Sequence, residues 1–357
     1  MPTIRKPMPL TDILGHERPK AILRAAIRRD RVAHAYLFHG AQGIGKRLTA
    51  IRFGQILNCD SPVAPGGPAG SPEPDACGTC RSCRDIESLT HPDFMLVEPD
   101  QEAVNPQIKI EQVREIEQRM MYRPLIGQRK VCLIDEADRL TLGAANALLK
   151  ILEEPPDHSL FILVTSRPSA LPGTVRSRCQ TLRFAPPARA RVEAALITTR
   201  EMPPAEARFL TAFTEARIGE ALSTDLPALR AQQAEFSALL APGTLRSVTS
   251  VLTAAEALHR AGRAPEALEW ISRWVRDTLL LRLGADPELL LNNDRLPALR
   301  ESAERMSVET LLTLLEELDA YARAGSRNLN PQLILESVLL RLRDAASETG
   351  SRHEARG

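Results

Sequence analysis

Lysine is scarce in this 357-residue chain: Lys6, Lys20, Lys46, Lys109, Lys130 and Lys150 are set against 46 lysines and arginines in all. The bias toward arginine reads as genomic base composition, and it makes a lysine inside a motif more informative. An excess of charge of one sign is also missing. A formal net charge of +1 gives no general pull toward phosphate backbones, which disfavours an autonomous DNA binder and leaves any nucleic-acid contact to local patches or partners. No segment has the uninterrupted apolar length that spans a bilayer. The opening MPTIRKPMPLTDILG lacks the apolar core of a secretion signal, so a cytoplasmic location is expected.

Cysteines number only six, which in a reducing compartment argues against a disulfide framework. Four of them lie close together. Cys59, Cys77, Cys80 and Cys83 form the pattern C-x17-C-x2-C-x2-C, which reads as a structural zinc site of four thiolates with no open position for catalysis. A redox switch through the close pairs fits less well, because three evenly spaced cysteines and a fourth suit a metal better than one disulfide. His91 is near enough to weigh as a ligand, but the neighbouring Pro92 and the fourth cysteine favour a structural histidine. Cys132 and Cys179 read as packed thiols.

With 43% hydrophobic and 25% charged residues, the chain has ordinary globular composition and a length that favours two or three domains. Four short apolar runs, Ala35 to Phe38, Phe94 to Val97, Val131 to Ile134 and Phe161 to Val164, predict buried strands alternating with helices, hence a parallel α/β sheet. Ile110, Val113, Ile116 and Met120 fall near helical spacing, and Leu142 to Glu154 is a second helix stopped by Pro155 and Pro156. The proline- and glycine-rich stretch from Asp60 to Ala76 reads as a mobile loop interrupting the cysteine cluster. After about Pro187 the strand signals stop and amphipathic helices follow. Trp270 and Trp274, one turn apart, then read as helix core.

Gly40-Ala41-Gln42-Gly43-Ile44-Gly45-Lys46 follows a predicted strand and opens a predicted helix, the context a phosphate-binding loop requires. Glycines let backbone N–H groups close on phosphate oxygens, and the helix N-terminus adds positive charge. The full motif ends in a serine or threonine whose hydroxyl binds magnesium, and here Arg47 stands in that place. Thr49 is two residues further on and points to another helix face. Magnesium-dependent hydrolysis is therefore disfavoured, and ATP or ADP binding is expected to be weak. Lys130 to Ile134 then runs into Asp135, Glu136 and Asp138, a buried strand ending in acids, where Asp135 would assist magnesium and Glu136 would polarise water.

The run Asn146-Ala-Leu-Leu-Lys150-Ile-Leu-Glu153-Glu154-Pro155-Pro156, followed by a strand and then Ser177-Arg178-Cys179, closely resembles the AAA+ clamp-loader ATPases of bacterial DNA polymerase III. Further matching pieces are Gly15-His16-Glu17, His34 to Leu37, the cysteine cluster, His91-Pro92-Asp93 and Asn328 to Gln332, so the resemblance covers nearly the whole chain. It implies a RecA-like AAA+ domain with a zinc module over residues 1–186, a helical lid over 187–241, a helical collar over 242–346 and a polar tail over 347–357. It also implies that Arg178 reaches the ATP of a neighbouring subunit as an arginine finger and that Thr165 senses the γ-phosphate. A degenerate nucleotide site would comprise Gly40, Gly43, Gly45, Lys46, Asp135, Glu136 and Thr165.

The segment Arg217 to Leu222 resembles the sensor-two helix of the family's motor subunits, with Gly219 where the motors place an arginine. With Arg47, this points to a stator with little ATPase activity of its own. The implied partners are the gamma/tau motors, the delta subunit, the sliding clamp and, through the complex, primed DNA. A gamma/tau-type motor or helicase-like ring using Lys46, Asp135 and Glu136 itself is the enzymatic alternative. A zinc-bearing interaction module with a fossil nucleotide site is the non-enzymatic one.

Overall fold

The computed structural model describes residues 9–63, 74–100, 106–241, 243–324 and 330–354, so Pro242, Asn328 and most of the 60–76 loop lie outside the described residues. Two compact units divide the chain at Ser223 and Thr224.

The first unit contains five strands: β1 (Ala35–His39), β2 (Phe94–Val97), β3 (Lys130–Ile134), β4 (Ser159–Thr165) and β5 (Gln180–Arg183). They form one parallel sheet in the order β2-β3-β4-β1-β5. Four of them match the apolar runs. The fifth is a sheet edge in which only Leu182 is buried, so it carries little of the apolar signal that marks a two-sided buried strand.

Helices α1 (Glu17–Arg28), α2 (Lys46–Leu57) and α3 (Arg81–Glu87) cover one face of this sheet. Side chains alternate along the strands. Tyr36, Phe38, Leu133, Ile162 and Val164 join Leu23, Phe53 and Ile86 from the helices. The opposite face presents Leu37, Cys132, Ile134, Phe161 and Leu163 to α4 (Ile110–Met120) and α5 (Leu142–Glu153). Cys132 is a fully buried thiol, as its place in the apolar run predicts. α5 begins where Thr141 Oγ1 accepts the Ala144 amide at 3.2 Å and ends before Pro155, which cannot continue a helix. The short α6 (Gly173–Arg176) precedes β5, and α7 (Arg189–Arg200), α8 (Pro204–Phe213) and α9 (Ile218–Ser223) complete the unit.

The second unit is all helical: α10 (Leu226–Leu240), α11 (Val248–Arg260), α12 (Ala264–Arg282), α13 (Leu296–Arg305), α14 (Val308–Ala324) and α15 (Pro331–Glu354). α12 is central and packs against α10, α13, α14 and α15. Its Trp270 and Trp274 are buried, and Trp270 stacks on Phe236 with ring centroids 6.2 Å apart. Asn330 Oδ1 accepts the Gln332 amide at 3.0 Å and starts α15, which stays helical to Glu354 where the composition suggests a frayed tail from Ser347. The α/β-plus-all-α class expected from the pattern of runs is the class observed.

Candidate functional site

The turn between β1 and α2 is shaped by its glycines. Gly43 and Gly45 have φ of +73° and +101°, and a Cβ on Gly40 would lie 2.2 Å from the Phe184 carbonyl, so no larger residue fits there. Lys46 opens α2, almost fully buried, and its ammonium donates to the carbonyls of Gly40 at 2.7 Å and Ala41 at 2.5 Å. Burial lowers its pKa, opposed by the charges of Asp135 and Asp138. The Gly15-His16-Glu17 motif meets this turn directly, with the His16 ring hydrogen-bonded through Nε2 to the Ile44 carbonyl at 2.5 Å.

An open cleft of about 650 Å³ lies above the turn, and Gly43, Gly45, Lys46, Asp135, Glu136 and Thr165 all line it. Each of its acids already holds a cation from the same chain. Arg47 Nη1 donates to Asp135 at 3.3 Å and to Glu98 at 2.7 Å. Arg139 pairs with Glu136 at 2.5 Å, and Arg167 pairs with Asp138 at 2.9 Å. Thr165 Oγ1 donates to Asp138 at 2.7 Å, which occupies the hydroxyl otherwise suited to sensing a phosphate. Glu136 has φ of +46°, a left-handed conformation that costs a residue with a β-carbon about 1 kcal/mol.

Magnesium does not fit this set of donors. The hydroxyl position is occupied by Arg47, whose guanidinium rests on the carboxylate that would ligate the ion. Thr49 offers no substitute, because its fully buried hydroxyl donates to the Gly45 carbonyl at 2.9 Å.

At the rim, the amide of Gly219 in α9 donates to the Gly43 carbonyl at 3.0 Å, and a Cβ at Gly219 would stand 2.8 Å from that oxygen. Close approach of the two backbones thus favours glycine at position 219. Arg178 is not among the residues lining the cleft. It follows α6, where its guanidinium donates to Glu153 at 2.5 Å and to the Thr174 carbonyl at 2.8 Å.

The four clustered cysteines converge. Their sulfurs all lie within 4.8 Å of one another, with Cys59 and Cys80 at 4.0 Å. Sulfurs bound at about 2.3 Å around a tetrahedral zinc would stand about 3.8 Å apart, so the donors fit that ion. Amides support them: Cys77 N–H donates to Cys59 Sγ at 3.4 Å, Cys80 N–H to Cys77 Sγ at 3.3 Å and Cys83 N–H to Cys80 Sγ at 3.4 Å. Burial raises the thiol pKa values of Cys59 and Cys83. At Cys77 burial is outweighed by amide donors from Cys80 and Thr79, and the thiol falls to about 6. His91 is not part of the cluster, and its Nδ1 accepts the Asp93 amide at 3.0 Å. The thiol of Cys179 is partly buried, and burial pushes it up to about 12.

Glu98, Arg139 and Arg167 were not singled out by motif, and Glu153, which stands in the Asn146 to Pro156 run, was given no role there. A signal existed for Glu98, which follows β2 directly at the carboxyl end of a parallel sheet, where ligand sites of such sheets gather. Arg139 and Arg167 lie three and two residues beyond Glu136 and Thr165, within reach of the acids they neutralise.

Two family models match the chain: DNA polymerase III, delta subunit, over residues 15–188, and DNA polymerase III, delta subunit, C terminal, over residues 235–344. DNA polymerase III subunit delta' of Bacillus subtilis is 30% identical over 347 residues, covering 92% of this chain and 96% of the relative. The delta' subunit of Pseudomonas aeruginosa is also 30% identical, covering 87% and 92%. DNA polymerase III subunit tau of Bacillus subtilis is 35% identical but matches only 50% of this chain and 29% of its own length. The match to delta' relatives extends through both compact units, whereas that to tau spans half the chain, and the chain belongs to the DNA polymerase III delta' family of AAA+ clamp-loader subunits.

Proposed function

We propose that this chain acts as the stator of a clamp loader: it joins gamma/tau motors and a delta subunit, and places Arg178 at a neighbour's nucleotide while loading of the sliding clamp onto primed DNA proceeds. The observation that carries this reading is the ion pairing of Asp135 with Arg47, which takes the magnesium carboxylate out of the chain's own site. Arg178 supports it by lying outside that cleft, on a half-buried side chain whose guanidinium is held by Glu153 at 2.5 Å. An arginine donated to a transferring phosphoryl group stabilises the charge that develops on its oxygens and is worth about 10³ to 10⁵ in rate. The partition into AAA+ domain, lid and collar belongs to the same proposal, as does zinc at Cys59, Cys77, Cys80 and Cys83. Bound there, zinc would supply folding energy, and the four thiolates would leave it no position for catalysis.

ATP turnover of the chain alone, and of the complex reconstituted with motor, delta and clamp subunits on primed DNA, tests the assignment. Turnover is expected only in the complex, and Arg178→Ala is expected to lower the contribution of the adjoining motor site by about 10³ or more. Robust turnover of the isolated chain that Lys46→Ala abolishes would instead make it a motor.

A further inference from the structure

Arg47 occupies the chain position of a magnesium-binding hydroxyl and does the electrostatic work of a cation there. Its Nη1 reaches both Asp135 and Glu98, at 3.3 and 2.7 Å, while the other two cleft acids, Glu136 and Asp138, are held by Arg139 and Arg167. A divalent ion entering this site would find no hydroxyl at position 47 and would have to displace a guanidinium from two carboxylates at once. Both of Arg47's carboxylate contacts are made through one nitrogen, and its side chain is 41% exposed and lines the cleft. The fork's other N–H donors therefore have no protein partner among the described residues, and a planar guanidinium matches phosphate oxygens in geometry and charge. Lys46 adds a second cation, resting on two carbonyls and without a carboxylate ion pair among the described residues.

We propose that Arg47 is a built-in replacement for the divalent cation, so that the phosphate loop of this chain takes a nucleoside polyphosphate without magnesium. The proposal rests on reading the Gly40–Lys46 turn as a nucleotide site, and it is independent of the role given to Arg178. It also accounts for a loop that has the glycines and lysine of a phosphate site but no hydroxyl at its metal-binding position: the loop receives phosphate, but the ion that would promote transfer is excluded.

The test is calorimetric titration of the full chain with ADP, in excess magnesium and in excess EDTA, for the native protein, Arg47→Thr and Arg47→Lys. Circular dichroism of each variant verifies that it is folded. The native protein is expected to bind ADP with affinities that agree within about threefold in the two conditions. Arg47→Lys, which keeps the charge, should remain indifferent to magnesium. Arg47→Thr, which restores a hydroxyl and frees Asp135, should bind about tenfold or more tightly in magnesium than in EDTA. Manganese paramagnetic resonance gives a second readout: the ion should join the ADP complex of Arg47→Thr and not that of the native protein. Native binding that collapses in EDTA overturns the proposal, as does an Arg47→Thr variant that gains nothing from magnesium. Failure of the native protein to bind ADP in either condition also overturns it, and leaves the Arg178 assignment standing, because that is read from turnover of the assembled complex.

Discussion

Asp93 is fully buried, and its two oxygens accept the amides of Leu125, Ile126 and Gly127, each at 2.8 Å. That one carboxylate shapes the turn between α4 and β3, whose Tyr122 and Leu125 are 72% and 77% exposed and therefore contribute little burial of their own. Burial alone would raise the carboxyl pKa, but the three amide donors outweigh it and the group ends below its ordinary value. The sign of the pH dependence follows. A depressed native pKa contributes stability that is complete above the unfolded value of about 3.9 and is lost as pH falls through the native one. Asp93→Asn should therefore cost about 2 kcal/mol at neutral pH, and the gap to the native protein should narrow as the pH drops below about 4. Urea midpoints measured across that range check this. A gap that does not change with pH would mean that the charge of Asp93 contributes nothing.

At the scale of elements, α9 meets the phosphate loop through a backbone hydrogen bond from the Gly219 amide to the Gly43 carbonyl. A methyl group on Gly219 would crowd that carbonyl at 2.8 Å, and neither partner is the free end of a side chain that could swing away. Gly219→Ala should undock α9 and raise amide hydrogen exchange at residue 219 by about tenfold, while exchange in β3 and β4 stays unchanged. Equal exchange in both proteins would show that the contact takes the methyl group without opening. The docking was not readable from the glycine itself, which marked only a missing arginine. The strands and α5 were readable, because a two-sided buried sheet leaves uninterrupted apolar runs and Pro155 ends a helix visibly. β5 was not, because an edge strand with one buried residue leaves no such run. In the cleft, spacing placed Lys46 and Asp135 together, but Arg47 and Arg167 reach their acids from separate segments, and only the fold brings Arg47 to Glu98, 51 residues away. The substitution at position 47 was visible in the sequence; what its side chain grips was not.

For the whole molecule, the two units have separate cores and separate buried acids, which predicts that they lose structure in separate steps. In the first unit the cysteine cluster joins Leu10 and Ile13 in a small core, and buried Asp75 ties the chain there by accepting the Leu10 amide at 3.0 Å and an Arg24 N–H at 3.2 Å. In the second, Asp277 accepts the amides of Leu291 and Asn292 at 3.2 and 2.8 Å and fixes the segment between α12 and α13. Zinc bound by the four thiolates would stabilise only the state in which they converge, so its removal acts on the first unit. Scanning calorimetry of the full chain is expected to resolve more than one transition, since separate units need not unfold together. Chelation should shift the transition of the first unit down by several degrees or more and leave that of the second in place, and Cys80→Ser should reproduce the shift while lowering the metal content of the purified protein. Equal and negligible zinc in the native and Cys80→Ser proteins would remove the metal from the account, and the convergence of the four sulfurs would then rest on packing and amide contacts alone.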